Sequence, residues 1–449
     1  MRKLFGTDGI RAVAGQAPLD AHTIFAVGVA LAHQLKPVAA QPAVILGMDT
    51  RESSDWIAAT LAAGLREGGA RVESAGVITT PAIAFLARKH GFAAGVVISA
   101  SHNPWHDNGI KIFGGDGYKL ADEVELRIED EIFRQLESVS APDTSTLKAP
   151  PVEAKYRKDY EAFLLSAVPG LELGDLKIVL DCANGAASAL APELFARLGG
   201  KVVLTHANPD GRNINDDCGA LHPKTVAAET KAQSADLGVT FDGDADRALF
   251  ADANGNVVNG DGVLLLAARD LKARGLLRKE TVVATTMSNM GLEAALRRDA
   301  IAMLRAPVGD KYVLERMQAE GASLGGEQSG HILFPHLATT GDGLLTALVV
   351  FDIVRRSGKP LHELLADLKV FPQVILNVKV REKKPLHDSA SIAATISAAE
   401  AELDGNGRVV VRYSGTEPLA RVMIEAESEE AMRRHAEAIA DAIRTELGA

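Results

Sequence analysis

Three aspartates stand at alternate positions in the segment DGDADR. They are Asp242, Asp244 and Asp246, and Arg247 closes the segment. Carboxylates this close repel one another unless a cation lies between them, and hard divalent ions such as Mg²⁺ prefer oxygen ligands. A calcium loop would need a glutamate further on and a helix on each side, whereas strand-like sequence flanks this segment. The pattern therefore predicts a Mg²⁺ site, with Arg247 as a partner for an anion.

A serine follows the most apolar predicted strand. The segment GVVISASHNP contains Ser101, flanked by Ser99 and His102, and Lys111 lies a short loop further on. A serine at a strand end is normally a turn residue, and no G-x-S-x-G elbow is present. A hydroxyl, a hard metal ion and cationic side chains together suit phosphoryl transfer, which is mostly positioning and neutralisation of charge. A phosphoserine carries about −1.5 to −2 charges, which a metal held by three aspartates would offset.

Other polar segments could bind the rest of a phosphorylated ligand. GGEQSGH, Gly325 to His331, combines a carboxylate, a hydroxyl and glycines, which suits recognition of sugar hydroxyls or an amine. RYSGTEPLAR, Arg412 to Arg421, offers backbone N–H groups beside two arginines, and such nests bind phosphate. GTDGIR adds Arg11 behind a glycine turn. ATP is not expected as phosphoryl donor, because the sequence has no G-x-x-x-x-G-K-[ST] loop.

Strand-like and helix-like segments alternate along most of the chain. The first round includes a strand over 43–49, a helix over 53–69 opened by a serine cap, and the strand before SASHNP. Similar rounds lead to DGDADR and to GGEQSGH. This alternation predicts α/β domains with mixed, mainly parallel sheets, whose ligands bind at the carboxyl ends of the strands. Three related domains could therefore each bring a polar loop to a shared central cleft.

The last part of the chain follows another pattern. After about residue 368 the order is strand, helix, two strands and helix, which predicts a C-terminal α+β domain with its own core. The breaks in pattern give four domains, and a chain of 449 residues is long enough for three or four. Their predicted bounds are 1–151 with the serine loop, 152–250 with the metal loop, 251–368 with the sugar loop and 369–449 with the phosphate loop.

Composition and charge exclude some classes of partner. The net charge of −11 argues against nucleic acid, although arginines and lysines in a cleft can still attract a small anion. The sequence has no apolar run of about 18 residues, so no membrane span is expected. The start of the chain lacks the apolar core of a signal peptide. Two cysteines, Cys182 and Cys218, are too few for a disulfide framework, and a reduced cytoplasmic protein is expected.

The motifs, taken in order, resemble those of the α-D-phosphohexomutase superfamily. GTDGIR, SASHNP, DGDADR, GEQSGH and RYSGTEP span nearly the whole chain and are highly specific as a set. They are less specific for the sugar, although NINDDCGALHP and VGDKYVLERM read most like the bacterial branch that acts on glucosamine phosphates. The sequence departs from the family at Ala12, where glycine is usual, and at Trp105 and His106, where other aromatics are more usual. Neither departure touches the inferred chemistry.

The resemblance implies a role for each matching residue, in four domains around a central cleft. Ser101 would carry the phosphoryl group, and Mg²⁺, one per chain, would be held by a phosphoserine oxygen with Asp242, Asp244 and Asp246. Lys111 and His331 would transfer protons. The groups near the phosphoserine would be Arg11, Arg247 and His102. The contacts to the sugar would be Glu327 and Ser329. The loop around the distal phosphate would consist of Arg412, Ser414, Gly415, Thr416 and Arg421.

The reaction implied is a reversible exchange of phosphoryl groups. Phosphoserine would phosphorylate glucosamine 6-phosphate, the 1,6-bisphosphate would turn over in the cleft, and glucosamine 1-phosphate would leave. Glucosamine or glucose 1,6-bisphosphate would serve as activator, and the product would feed UDP-N-acetylglucosamine and cell-wall precursors. A homodimer is suggested by the resemblance alone.

Other interpretations use the same residues differently. A phosphomannomutase or phosphoglucomutase would keep the mechanism and change the sugar, and only GEQSGH and its neighbours bear on that choice. A Mg²⁺-dependent phosphatase would use the aspartates for hydrolysis and release inorganic phosphate. A silent sugar-phosphate sensor would show no turnover, and the intact Ser101, Lys111 and aspartates argue against it.

Overall fold

The chain is seen in a computed structural model that describes residues 4–6, 8–414 and 418–448. Over these residues, contacts divide it into two compact units, which are described separately. The first comprises the chain up to Thr286 together with Leu304–Leu364, and the second comprises Met287–Met303 together with the chain from Leu365. Of the described helices, none combines the length and the apolar composition that crossing a membrane requires.

The first unit begins with a mixed sheet flanked by helices. Its strands are β1 (Ile10–Val13), β2 (Ala43–Met48), β3 (Arg71–Val77), β4 (Ala94–Ile98) and β5 (Asp107–Gly114). Its helices are α1 (Ala21–Leu35), α2 (Ser54–Glu67), α3 (Thr80–His90) and α4 (Asp122–Ser138). The order is β1-β5-β4-β2-β3, and β5 runs opposite to the strands beside it. Every residue of β4 is buried, as expected for a strand covered on both faces.

A second sheet repeats this topology. Its strands are β6 (Lys177–Asp181), β7 (Lys201–Thr205), β8 (Leu237–Phe241), β9 (Ala248–Asp252) and β10 (Val257–Val258). The helices of this region are α5 (Ala154–Ala167), α6 (Ala191–Arg197) and α7 (Pro223–Ala232). The order is β10-β9-β8-β6-β7, and β9 runs opposite to the strands beside it. In this sheet β8 therefore occupies the place that β4 has in the first.

The third sheet is smaller. Its strands are β11 (Thr281–Thr285), β12 (Ala302–Ala306), β13 (Gly325–Gly326) and β14 (Ile332–Leu333), in the order β12-β11-β13-β14. The helices of this region are α8 (Gly260–Ala273), α10 (Asp310–Glu320), α11 (Gly343–Ser357) and α12 (Leu361–Leu364), whereas α9 (Met290–Arg298) belongs to the second unit. β13 is parallel to β11 and antiparallel to β14. It therefore corresponds to β4 of the first sheet and to β8 of the second sheet.

The second unit contains an antiparallel sheet packed against two long helices. Its strands are β15 (Gln373–Lys379), β16 (Gly407–Tyr413) and β17 (Leu419–Ala426), in the order β15-β17-β16. The helices are α13 (Ala390–Leu403) and α14 (Glu429–Leu447). Residues such as Val422, Ile424 and Ile439 form its buried core. The predicted order of strand, helix, two strands and helix is confirmed.

The fold class predicted from the sequence is confirmed: the first unit has mixed sheets with mostly parallel strands, and an α+β module follows. One local prediction is wrong in detail. Ser53 precedes α2, but its backbone is helical and its side chain makes no capping hydrogen bond. Instead, Asn108 Nδ2 donates to Ser53 Oγ at 2.8 Å. A partner from β5 has taken the hydroxyl that a local rule assigns to the helix end.

Candidate active site

The predicted serine, metal and sugar segments follow corresponding strands of the first unit. Ser101 comes after β4, Asp242 after β8 and Glu327 after β13. Each of these strands has a parallel neighbour on one side and an antiparallel neighbour on the other. Ligands of open α/β sheets bind beyond the carboxyl ends of the strands. The repeated topology thus explains why the polar segments lie where they do.

Ser101 points at the first aspartate of the metal segment. The residue is 1% exposed and its backbone is left-handed, with φ of 54°. Its Oγ donates a hydrogen bond to Asp242 Oδ2 at 2.6 Å, and its amide donates to Ser99 Oγ at 2.9 Å. The structure therefore brings together the predicted phosphoryl carrier and the predicted metal ligands, which are 141 residues apart in the chain.

The aspartate triad of Asp242, Asp244 and Asp246 fits a hard cation. The three side chains are buried, and one carboxylate oxygen from each lies within 4.8 Å of the others. Asp244 Oδ1 and Asp246 Oδ1 are buried acceptors to which the described part of the chain offers no hydrogen bond. Burial, and then repulsion by its two neighbours, raises the pKa of Asp242. Buried carboxylate oxygens that lack a hydrogen bond are ligands of the kind that Mg²⁺ prefers.

Lys111 on β5 supplies positive charge beside the aspartate triad. Its Nζ lies 2.7 Å from Asp244 Oδ2, 2.9 Å from Asp8 Oδ2 and 3.5 Å from Asp246 Oδ2. Burial disfavours the ammonium form, but the three carboxylates outweigh it and raise the pKa of Lys111 above its ordinary value. Lys111 is therefore a cation at neutral pH that can hold negative charge, and it gives up its proton less readily than an ordinary lysine.

His331 lies between two carboxylates. Its Nδ1 is 3.7 Å from Asp246 Oδ1, and its Nε2 is 3.5 Å from Asp310 Oδ2. Burial lowers the pKa of a histidine, but here Asp246 and Asp310 prevail and raise the pKa of His331 to about 9. The side chain is buried, so bulk water does not screen these contacts. At pH 7 it is an imidazolium that contacts a member of the aspartate triad.

Residues that the sequence analysis did not single out connect the two predicted proton-transfer groups. Lys119 Nζ contacts Asp8 Oδ1 at 2.6 Å and Asp310 Oδ2 at 2.7 Å. These contacts complete a closed ring of alternating charge, in the order Lys111, Asp8, Lys119, Asp310, His331 and Asp246. Asp8 and Asp310 belong to the quoted segments GTDGIR and VGDKYVLERM, so their motifs were visible although their pairing was not.

A glycine makes room for the imidazole of His331. A Cβ added at Gly341 would lie 2.3 Å from His331 Nε2 and 2.7 Å from Cε1. Gly341→Ala is therefore expected to displace the ring and, given the proton-transfer role predicted for His331, to lower kcat about 10- to 100-fold. Overpacking should also reduce the free energy of unfolding by about 1–3 kcal/mol. Steady-state kinetics and thermal unfolding measure the two effects.

Gly91→Ala is the matched control for this substitution. Gly91 ends α3 with φ of 66°, and no atom lies within 4 Å of its added Cβ. An alanine there is strained by about 1 kcal/mol or somewhat more, but kcat should stay unchanged. Equal kcat values for the Gly341 and Gly91 variants would show that His331 needs no such space.

The arginines and His102 lie beside the serine and the aspartate triad. The Arg247 amide donates to Asp242 Oδ1 at 3.2 Å, and Arg247 Nη1 lies 3.3 Å from His102 Nδ1. Arg11 forms a close ion pair with Asp8. His102 Nδ1 is 3.3 Å from Ser101 Oγ, and burial, followed by the two arginines, lowers the pKa of His102 to about 4. The structure thus places a neutral imidazole beside the serine, with the Arg247 guanidinium next to that imidazole and the charge of Arg11 close enough to lower the pKa of His102.

The predicted sugar contacts form a tight hairpin. The Glu327 amide donates to the His331 carbonyl at 2.9 Å, which fixes the hairpin. Glu327 Oε1 accepts from the Gly309 amide at 3.0 Å, and Oε2 accepts from Ser329 Oγ at 3.3 Å. Gly309 immediately precedes Asp310, and Asp310 and Glu327 both help to raise the pKa of His331. The arrangement favours a ligand that carries hydroxyls or a positive charge.

The predicted phosphate residues lie in the second unit. Arg412 on β16 and Arg421 on β17 are directly opposite in the antiparallel register, so both side chains leave the same face of the sheet. Two guanidinium groups on one face of a sheet can bind the oxygens of one phosphate together. Ser414 is buried, and its carbonyl accepts from Lys383 Nζ at 2.6 Å. Gly415 and Thr416, which were also predicted, lie outside the described residues.

Family models match four segments of the chain. Phosphoglucomutase/phosphomannomutase alpha/beta/alpha domains I, II and III match residues 2–138, 156–255 and 259–371, and the C-terminal domain matches 375–442. The chain therefore belongs to the phosphoglucomutase/phosphomannomutase family of phosphohexomutases, which are isomerases.

Full-length relatives carry a narrower name within this family. The chain is 59% identical to the phosphoglucosamine mutase of Koribacter versatilis, over 100% of this chain and 98% of that one. It is 52% identical to the phosphoglucosamine mutase of Solibacter usitatus, over 100% of this chain and 99% of that one. The resemblance predicted from the motifs is thereby confirmed.

Solved structures share the fold. A phosphoglucomutase/phosphomannomutase family protein from Burkholderia thailandensis has a TM-score of 0.75 at 23% identity, covering 99% of each chain. An N-acetylphosphoglucosamine mutase from Aspergillus fumigatus, solved with GlcNAc-6P and magnesium, has a TM-score of 0.62 at 20% identity. The match covers 99% of this chain and 96% of that one.

Proposed function

We propose that this phosphohexomutase interconverts glucosamine 6-phosphate and glucosamine 1-phosphate through phosphorylated Ser101 and a 1,6-bisphosphate intermediate. The observation that carries the assignment of the serine is the 2.6 Å hydrogen bond from Ser101 Oγ to Asp242, inside the buried aspartate triad. The sugar assignment rests on the full-length relatives, which are named phosphoglucosamine mutase. The product would be a precursor of UDP-N-acetylglucosamine and thus of cell-wall polymers.

The residues around Ser101 would have different roles in phosphoryl transfer. Arg247 and Arg11 would hold the phosphoryl oxygens, because guanidinium groups bind phosphate through paired hydrogen bonds. Lys111 and His331 would move the protons: the one that has given up its own proton takes that of the attacking sugar hydroxyl, and the other, still protonated, supplies a proton to Ser101 Oγ as it leaves. His102, held neutral by burial, contacts Ser101 Oγ and would orient it. The second half-reaction reverses these roles at the other end of the sugar.

The aspartate triad would hold Mg²⁺, one ion per chain. Asp242, Asp244 and Asp246, with a phosphoserine oxygen, are the ligands we assign, and the ion would neutralise the charge of the transferred group. Asp244 Oδ1 and Asp246 Oδ1, which accept no hydrogen bond from the described residues, support this set.

A carboxylate supports an amino sugar as substrate. Glu327 Oε1 accepts from the amide of Gly309, and a carboxylate can pair with an ammonium group as well as with a hydroxyl. Glu327 and Ser329 would contact the sugar. The residues we assign to the distal phosphate are Arg412, Ser414, Gly415, Thr416 and Arg421, because Arg412 and Arg421 are opposite each other on one face of a sheet and guanidinium groups bind phosphate.

Several further features belong to the same proposal. Glucosamine or glucose 1,6-bisphosphate would activate the enzyme by phosphorylating Ser101. We assign the reaction to the cytoplasm, because Cys182 and Cys218 are free and buried thiols, as expected in a reducing compartment. A homodimer is the proposed oligomeric state, and we retain the predicted domain bounds 1–151, 152–250, 251–368 and 369–449.

Phosphorus NMR of the protein with Mg²⁺ and a trace of sugar 1,6-bisphosphate tests the reaction and its sugar together. Glucosamine, glucose and mannose 6-phosphates are supplied in parallel, and the three values of kcat/KM are compared. The 1-phosphate should form mainly from glucosamine 6-phosphate. A preference for mannose or glucose would replace the sugar and keep the chemistry. Net release of inorganic phosphate at a comparable rate would replace the mutase by a phosphatase.

A further inference from the structure

Two side chains donate hydrogen bonds to backbone carbonyls of the serine loop, which comprises residues 99–104. Arg51 Nη2 donates to the Ser101 carbonyl at 3.1 Å and to the Asn103 carbonyl at 2.6 Å. Asn215 Nδ2 donates to the same two oxygens, at 2.9 Å and 3.1 Å. The two donors come from segments 50 and 114 residues away from Ser101. Together they form a clamp, defined here as Arg51, Asn215 and the two carbonyls.

The first side of the clamp is a buried ion pair. The Arg51 and Asp49 side chains are fully buried and in direct contact. Asp49 Oδ1 also accepts from the Arg51 amide at 3.0 Å and from Ser54 Oγ at 3.1 Å. Removing two charges from water is costly unless further hydrogen bonds satisfy them. The carbonyls of the serine loop supply those bonds for the guanidinium, so the ion pair and the loop stabilise each other.

The second side is anchored in the neighbouring sheet. Asn215 has φ of 59°, and its amide donates to the Ala183 carbonyl at 3.0 Å. Asp181, at the end of β6, accepts from the Ala183 amide at 2.9 Å and from the Gly219 amide at 3.0 Å. The segment that carries Asn215 is therefore fixed on both sides. Its amide group reaches the serine loop from a rigid support.

The serine loop needs such support for two reasons. Ser101 is left-handed at φ of 54°, which costs a non-glycine residue about 1–3 kcal/mol unless its surroundings impose it. A carbonyl oxygen is also the negative end of a dipole, and a phosphoserine carries about −1.5 to −2 charges. While the Ser101 and Asn103 carbonyl oxygens accept hydrogen bonds from Arg51 and Asn215, neither oxygen can turn toward the phosphoryl group.

We propose that Arg51 and Asn215 are positioning residues that hold phosphorylated Ser101 in line for the sugar hydroxyl and against loss of the phosphoryl group to water. This rests on the proposed function. In the competing reaction the phosphorus–oxygen bond to Ser101 breaks, a bond to a water oxygen forms, and a water proton ends on Ser101 Oγ. A clamped serine favours transfer to the bound sugar, because the reacting atoms are already aligned.

The test replaces the amide of Asn215 by a carboxylate of the same shape. Asp tolerates the left-handed backbone as Asn does, but Asn215→Asp presents acceptors to two carbonyl oxygens. We expect kcat to fall about 10- to 100-fold, KM to stay within about twofold, and inorganic phosphate released per turnover to rise. Asn213→Ala is the control, since Asn213 Nδ2 donates to the Asn208 carbonyl in the same segment without reaching the serine loop.

Amide hydrogen exchange of the peptide spanning 99–104 gives a readout that needs no substrate. In the wild type the Asn103 amide donates to the Ala100 carbonyl at 3.1 Å, and this bond should open more often in Asn215→Asp than in Asn213→Ala. Unchanged exchange and unchanged kcat would overturn the clamp, as would a parallel loss of kcat in the control.

The two proposals fail in different ways. If the wild type shows no mutase activity, the proposed function fails while faster exchange in Asn215→Asp still supports the clamp. If Asn215→Asp unfolds, Asn215→Ser, which is neutral and too short to bridge both carbonyls, carries the same expectation. Arg51→Lys completes the series: it keeps the charge beside Asp49 but lacks the planar fork, so it should lower kcat with KM retained.

Discussion

Ser101→Ala is expected to abolish phosphoryl labelling of the enzyme and to lower turnover by at least about 10⁴-fold, as for other enzymes that lose their covalent nucleophile. The hydroxyl is the group that the structure aims at the aspartate triad, through the 2.6 Å bond to Asp242 Oδ2. The measurement is transfer of label from a sugar 1,6-bisphosphate to the protein, followed by peptide mapping.

Ser99 is the natural comparison for this experiment. Its Oγ accepts from the Ser101 amide at 2.9 Å, so it supports the loop without facing the aspartate triad. Ser99→Ala should keep the label and lose part of the rate. Label that persists in Ser101→Ala and vanishes in Ser99→Ala would transfer the phosphoserine assignment to Ser99.

The parts of the site that could be predicted from sequence are those that depend on residues close together in the chain. Ser101, Asp242 and Glu327 each follow a strand, and the topology of α/β sheets places the ends of such strands together. The D-G-D spacing was also informative. A Cβ at Gly243 would lie 2.4 Å from the Ser101 carbonyl oxygen, so the glycine that separates the aspartates is what allows the two loops to touch.

The parts that could not be predicted depend on partners far apart in the chain. Lys119 and Asp310 form an ion pair across 191 residues, and Asn215 reaches the Ser101 carbonyl across 114. Nothing in the local pattern of an asparagine in NINDDCG distinguishes a solvated turn from a donor to a distant loop. The missing cap at Ser53 has the same cause, because Asn108 competes for the hydroxyl from 55 residues away.

The charge states of the site residues could not be predicted from the sequence either. From sequence alone, a lysine or a histidine is assigned its ordinary pKa value. In the folded chain, burial opposes the charge on His331 but Asp246 and Asp310 raise its pKa to about 9. For His102, burial and the neighbouring arginines lower the pKa to about 4. Two histidines of one site thus differ in charge at pH 7 because of their partners.

Asp244→Asn should lower turnover by at least about 100-fold, an effect at the upper end of those seen when even indirect metal contacts are lost. Asp244 accepts from Lys111 through Oδ2 at 2.7 Å, and its buried Oδ1 remains available to a cation. An asparagine keeps the shape but has one oxygen and an NH₂ group. In one orientation the NH₂ group faces the Lys111 ammonium, and in the other it faces the metal position. One of the two contacts is therefore lost.

Two measurements separate loss of metal from loss of structure in Asp244→Asn. Calorimetric titration of Mg²⁺ into the dephosphorylated protein should show weaker binding, and raising the Mg²⁺ concentration should restore part of kcat. Asp236→Asn is the control: the same change at an exposed site, where the carboxylate accepts from the Lys177 amide at 2.8 Å, should alter neither quantity. If activity survived both a chelator and Asp244→Asn, the metal assignment would be wrong, and Lys111 with the arginines would have to neutralise the phosphoryl charge unaided.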